Sequence, residues 1–144
     1  MTPKNAKFSY EFDIADGTLI EDVLTEEPKL SMPHTASCFD TKEQLLLSKL
    51  DHALVKNTQG SYMGVISLNT LKGLSNTDLH ADTVEPYLDK VTDICTPQCC
   101  AIQVNNRLLE KQAPYILVVN HSGKLIGFLE ARDFVNTPLP KDAN

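Results

Sequence analysis

Four cysteines, Cys38, Cys95, Cys99 and Cys100, are the side chains with the widest possible chemistry. Thiolates could hold a zinc ion or form a redox pair, and a thiolate beside a base could act as a nucleophile. The spacing supports none of these. Neither CxxC nor CxxH occurs, and the CxxxCC over 95–100 matches no zinc-ligand pattern. The opening residues Met1-Thr-Pro-Lys-Asn5 lack the apolar core of a secretory signal, so a cytoplasmic chain with reduced thiols is expected. The cysteines then read as small, partly buried apolar residues. Among the histidines, His34, His80 and His121 fall in expected loops and His52 opens an expected strand. No acid or thiol is tied to any of them as a triad requires. An enzyme built on Cys95, Cys99 or Cys100 would lack a base, so no catalytic residue and no metal site are assigned.

Composition narrows the classes further. The 144 residues carry 13 basic and 19 acidic side chains, a net charge of −6, with 42% hydrophobic and 22% charged residues. That is the balance of a globular domain. An acidic surface argues against a nucleic-acid polymer or an anionic membrane as partner, since both need a basic footprint. No apolar run approaches the ~20 residues of a membrane span.

The elements that would position a site are written twice. At an offset of 63 residues, Leu54, Val55, Asn57, Gly60 and Gly64 recur as Leu117, Val118, Asn120, Gly123 and Gly127. The apolar pattern recurs with them: Val65, Ile66 and Leu71 match Phe128, Leu129 and Phe134. Each copy reads as a β-hairpin and a short helix. An apolar run ends at Asn57 or Asn120, and a glycine three residues later supplies the positive φ of a turn. The returning strands are expected over 61–66 and 124–129, followed by helices over 67–74 and 130–136. Gly64 and Gly127 lie inside those strands, where a missing side chain marks tight sheet packing or the approach of a ligand.

A longer helix is expected before each hairpin. Asp40 and Glu43 suggest a capping box opening a helix to about Asp51, with Leu46, Leu47 and Leu50 on its buried face. In the second copy Ala101, Val104 and Leu108 keep helical spacing, and Pro114 stops the helix. Further upstream, Ile20-Glu-Asp-Val-Leu-Thr parallels Val91-Thr-Asp-Ile-Cys-Thr at an offset of 71. The two offsets differ by eight residues, which implies a shortened second copy. Outside the copies, Phe8-Ser-Tyr-Glu-Phe-Asp-Ile14 alternates as a half-buried strand, Asp82 is expected to cap a helix carrying Val84, Tyr87, Leu88 and Val91, and a Pro-rich tail follows Asn136.

The stretch Val118-Val-Asn-His-Ser-Gly-Lys-Leu-Ile-Gly-Phe-Leu-Glu-Ala-Arg-Asp-Phe134 resembles the end of a CBS domain, the cystathionine-β-synthase-type module. Asp22-Val-Leu-Thr and Asp93-Ile-Cys-Thr resemble its opening stretch. Two copies resemble a tandem CBS pair, or Bateman module, over about residues 18–136. The resemblance implies an α+β fold of two βαββα repeats packed sheet to sheet about a pseudo-twofold axis, with an extra N-terminal strand. It divides the chain into an N-terminal extension (1–17), repeat 1 (18–74), a linker (75–90), a shortened repeat 2 (91–136) and a tail (137–144). It further implies a non-catalytic, regulatory homodimer. Such a module would bind an adenosine-type ligand such as AMP, ATP or S-adenosylmethionine in the cleft between repeats and signal to a regulated protein partner. The alternative is a degenerate pair without ligand, acting as a dimerisation or protein-interaction module.

In that family a T/S-x-x-D tetrad opens the last helix, its hydroxyl toward phosphate and its carboxylate toward the ribose. The physics is reasonable, because a helix start favours an anion and a carboxylate can accept two sugar hydroxyls. Repeat 1 has Ser67-Leu-Asn-Thr70 and repeat 2 has Glu130-Ala-Arg-Asp133, so each keeps half. Ser67 keeps the hydroxyl and Asp133 the acid; Thr70 and Glu130 are the departures. Glu130 would satisfy the helix dipole itself and repel phosphate. Without a ligand, Ser67 is a helix cap and Asp133 a solvated acid or a partner of Arg132 or Lys124. The ligand-binding set implied by the resemblance is Ser67, Thr70, Glu130, Asp133, Gly64 and Gly127.

Overall fold

A computed structural model describes residues 17–24, 30–90 and 93–135. The expected strand at Phe8–Ile14 and the tail after Asn136 lie outside these residues. In chain order the elements are α1 (Ile20–Val23), β1 (Ser31–Pro33), α2 (Cys38–Ser48), β2 (His52–Lys56) and β3 (Tyr62–Ser67). Then come α3 (Leu68–Lys72), α4 (Asn76–Ala81), a single 3-10 turn (Glu85–Tyr87), β4 (Ile94–Cys95) and α5 (Ala101–Lys111). The chain closes with β5 (Ile116–Val119), β6 (Leu125–Leu129) and α6 (Ala131–Val135).

Each repeat is a βαββα unit with a three-stranded sheet. In β1-β2-β3 and in β4-β5-β6 the first pair is parallel and the second antiparallel. The hairpins form as their sequences require: Gly60 and Gly123 both take φ +83°, and the Asn57 and Asn120 side chains accept backbone N–H groups across each turn. Strand β2 is buried from His52 to Val55 and β5 from Ile116 to Val118, as central strands covered on both faces should be.

The register shows that the repeat is unbroken. Ser31 pairs with Leu54 as Ile94 pairs with Leu117, and Met32 with Val55 as Cys95 with Val118. Helices α2 and α5 each have 11 residues, and each ends on a left-handed residue, Lys49 or Gln112. An offset of 63 therefore holds from β1 to the last helix. The eight-residue shortening inferred from the offset of 71 is absent. That match aligned a helix, α1, with the segment leading into a strand, β4. A short run of similar residues was too little to fix register.

The counterpart of α1 is instead the 3-10 turn. Ile20 N–H donates to Cys99 O as Val84 N–H donates to Ala36 O, and Ala101 N–H donates to Thr18 O as Cys38 N–H donates to Asp82 O, all at 2.9–3.0 Å. Isolated bridges Leu19–Cys100 and Ser37–Thr83 complete the correspondence. The described residues accordingly fall into two compact units, 30–90 and 17–24 with 93–135. Each sheet shares its unit with the segment that precedes the other repeat in the chain. One core gathers Cys38, Leu45, Val55, Ile66, Leu71 and Val84; the other gathers Ile20, Val104, Leu108, Ile116, Val118 and Phe134.

Two local expectations are corrected. Helix α2 begins a turn early, with Ser37 Oγ accepting from Asp40 N–H at 3.0 Å, and its buried stripe is Cys38, Thr41 and Leu45. Leu46 and Leu47 are 50% and 76% exposed. A run of three leucines cannot all face one side at 100° per residue, and the true cap selects Leu45. Asp82 ends a helix rather than starting one: α4 is capped by Ser75, and Val84 is buried just before the 3-10 turn.

Candidate functional site

The last strand of each sheet turns directly into a short helix, and these turns hold the tetrad positions. In repeat 2, Glu130 follows β6 and precedes α6. Asp133 Oδ2 accepts the Glu130 N–H at 2.7 Å, and Asp133 N–H donates to Glu130 O at 3.0 Å. This is half of a capping box, with the acid three residues into the helix reaching back to its first N–H. The Glu130 side chain is only 8% exposed, and its Oε1 accepts from Arg132 Nε at 2.9 Å. A buried carboxylate needs such a partner, because leaving it unpaired is costly.

In repeat 1 the same backbone is held differently. Ser67 ends β3 with extended dihedrals and makes no side-chain cap bond. Its hydroxyl donates to Asp89 Oδ2 instead. Asp89 is brought there by its own N–H, which donates to Val65 O at 2.8 Å. Thr70, half-buried, occupies the position equivalent to Asp133. The structure thus places Glu130 with Asp133, and Ser67 with Thr70 on one helix start.

Gly64 and Gly127 are both buried, and each lies under a leucine of its own unit. A Cβ on Gly64 would sit 3.5 Å from Leu88 Cδ1, an ordinary contact, whereas one on Gly127 would sit 2.9 Å from Leu24 Cδ1. Tight packing accounts for the glycine at 127.

Comparison with solved structures then decides the architecture. The chain matches CBS-domain structures over most of its length. The chain has the fold of a tandem CBS pair. CBSX2 in complex with AMP aligns at TM-score 0.69 and 23% identity, over 83% of this chain and 94% of that one. The CBS domain of the bacterial CNNM/CorC family Mg2+ transporter in complex with ATP aligns at TM-score 0.69 and 15% identity, over 94% and 96%. Protein MJ1004 from Mathanocaldococcus jannaschii aligns at TM-score 0.68 and 17% identity; 83% of the present chain is covered, and it spans 58% of MJ1004. No protein-family model and no curated protein matches the sequence.

Two residues of this CBS pair were not singled out from sequence, Asp89 and Arg132. Arg132, which the sequence offers as a partner for Asp133, donates from Nε to Glu130 Oε1. Asp89 lay in a stretch read as linker. Leu88, the residue before it, covers Gly64 as Leu24 covers Gly127.

All four cysteines are free, and among the described residues no cluster of three metal-ligating side chains occurs. Burial pushes the Cys95 thiol up to about 12, helped by the neighbouring Cys99. Burial also raises Cys38, whose Sγ donates to Thr83 O at 3.3 Å. Cys99 is lowered, because the Thr96 hydroxyl and backbone N–H lie against its sulfur at 3.5 and 3.4 Å. No helix among the described residues is long and apolar enough to cross a membrane.

Proposed function

We propose that this CBS pair is a regulatory, non-catalytic module that binds an adenosine-type ligand at the strand-to-helix turns and signals its occupancy to a protein partner. The observation that carries this reading is the fixed position of Asp133. Its carboxylate is oriented by the Glu130 N–H through one oxygen. A carboxylate at this position suits the paired hydroxyls of a ribose, the role that the family resemblance implies for it. The AMP and ATP complexes of the two similar CBS structures support the ligand class. Regulation would follow by population shift, the ligand favouring the arrangement it binds better.

A second reading has its own support. The Ser67 hydroxyl is already engaged by Asp89, and leucines already cover both glycines. These features suit a degenerate pair that serves as a dimerisation or protein-interaction module.

Thermal unfolding with adenosine, AMP, ADP, ATP, S-adenosylmethionine and NAD separates the two. A ligand at 100 times its dissociation constant stabilises by ~2.7 kcal/mol, a rise of roughly 5–10 °C for a chain of this size. The first reading expects such a rise, measured against each variant's own ligand-free midpoint, and its loss in Asp133→Ala. A flat response across the panel would leave the interaction module as the function.

A further inference from the structure

Cys95, Cys99 and Cys100 lie on the turn that joins β4 to α5. Their spacing alone gives no pattern, but the fold brings two of the side chains into one core. Cys95 ends β4 and is buried there. The chain then turns back, Cys99 N–H donating to Thr96 O at 3.1 Å, and Cys99 packs against that same core. The Cys99 sulfur lies 3.5 Å from the Thr96 hydroxyl and 3.4 Å from the Thr96 amide nitrogen, the atom bonded to the Cys95 carbonyl carbon. Repeat 1 builds the same turn without thiols: Met32, Ala36 and Ser37 stand at the matching positions, and Ala36 N–H donates to Pro33 O at 2.9 Å. The turn itself therefore does not require cysteine. The two thiols also differ. Hydrogen bonds from Thr96, and then the charge of Arg107, favour the thiolate of the half-buried Cys99, whereas burial keeps Cys95 a thiol.

We infer that Cys99 and Cys95 are a redox pair, in which a peroxide oxidises Cys99 and Cys95 closes a reversible disulfide across the turn. The Cys99 thiolate attacks the O–O bond of the peroxide, ROOH, giving a sulfenic acid and RO⁻. The latter takes back from solvent the proton that Cys99 released, and leaves as ROH. The Cys95 sulfur then attacks the Cys99 sulfur: the S–S bond forms, the S–O bond breaks, and hydroxide leaves as water with the Cys95 proton. The peroxide gains two electrons, and a thiol reductant returns two to restore the pair. The bridge fixes the turn on which the start of α1 rests, since Ile20 and Glu21 N–H donate to Cys99 O and Pro97 O, both at 2.9 Å.

Hydrogen peroxide added to the reduced full chain tests this, followed by an acid quench, alkylation in denaturant and peptide mass spectrometry. The expected result is loss of two alkylatable thiols, mapped to a Cys95–Cys99 bridge that dithiothreitol reverses. Cys100→Ala should still form the bridge, and Cys95→Ala should stop at a Cys99 sulfenic acid that dimedone traps. Thermal unfolding establishes that each variant is folded; mapping in the parent chain decides the pairing without them. Amide hydrogen exchange at Ile20 and Glu21 should be slower in the oxidised chain than in the reduced one. A bridge to Cys100 or Cys38, oxidation of Cys99 to sulfinic acid with Cys95 still alkylatable, or no loss of thiols overturns the pair. Unchanged exchange at both amides overturns its link to α1.

Discussion

The strand-to-helix turns of the two repeats share a backbone and differ in how they are held. In repeat 2 the turn is closed locally, Asp133 reaching back three residues to Glu130 and Arg132 pairing with the same glutamate. In repeat 1 the partner of Ser67 is Asp89, 22 residues away. A local cap depends only on its own helix, whereas a distant one depends on the segment that delivers it. The same backbone turn is thus bonded to a residue of its own helix in one repeat and to a residue of a distant segment in the other.

The equivalence of the cores is open to the largest test. Leu45 and Leu108 occupy matching helix positions, and both are buried. Leu45→Ala and Leu108→Ala are each expected to cost ~2–5 kcal/mol in denaturant unfolding. Leu47→Ala, at a mostly exposed position, should stay within about 0.5 kcal/mol. A marked inequality between Leu45→Ala and Leu108→Ala would break the symmetry of the cores.

The difference at the turns is sharpened by their acids. Asp133→Ala removes a capping interaction and should cost about 1 kcal/mol, while Thr70→Ala at the equivalent position should cost less. Equal losses would show that the local cap contributes nothing distinctive. The strand glycines give a smaller contrast. Gly64→Ala has room beside Leu88 and should be neutral or stabilising by up to about 0.5–1 kcal/mol, since glycine weakens a strand. Gly127→Ala must displace Leu24 and should unfold more easily than Gly64→Ala, read as a lower thermal midpoint.

The thiols of the second unit provide the mildest effect. With Cys99 lowered and Cys95 raised to about 12, alkylation near pH 8 should label Cys99 well before Cys95 by mass spectrometry. The sign for stability follows by linkage. Cys95 contributes stability that is fully present below its ordinary value of 9.0 and is lost as pH rises toward about 12. Cys95→Ala should flatten that alkaline decline.

The hairpins were legible because Asn57-x-x-Gly60 and Asn120-x-x-Gly123 encode their turns locally. Helix α5 was legible from Ala101, Val104 and Leu108. Strands β1 and β4 were not, being three and two residues long, and a short parallel strand carries no alternation to read. Leu46 and Leu47 misled because burial follows the cap at Ser37, not hydrophobicity alone. At the candidate site, Ser67 and Asp133 could be named from their motif positions. The partner of Ser67 is tertiary: the approach of Asp89 depends on how residues 75–90 return to β3, which no local pattern encodes.

The central claim, that the Asp133 turn receives an adenosine-type ligand, is tested most directly by isothermal titration calorimetry of the full chain with adenosine and S-adenosylmethionine. Saturable binding that is abolished in Asp133→Asn, while the variant still unfolds cooperatively, is the result expected. Absence of binding at millimolar ligand, or binding unaffected by Asp133→Asn, would contradict it.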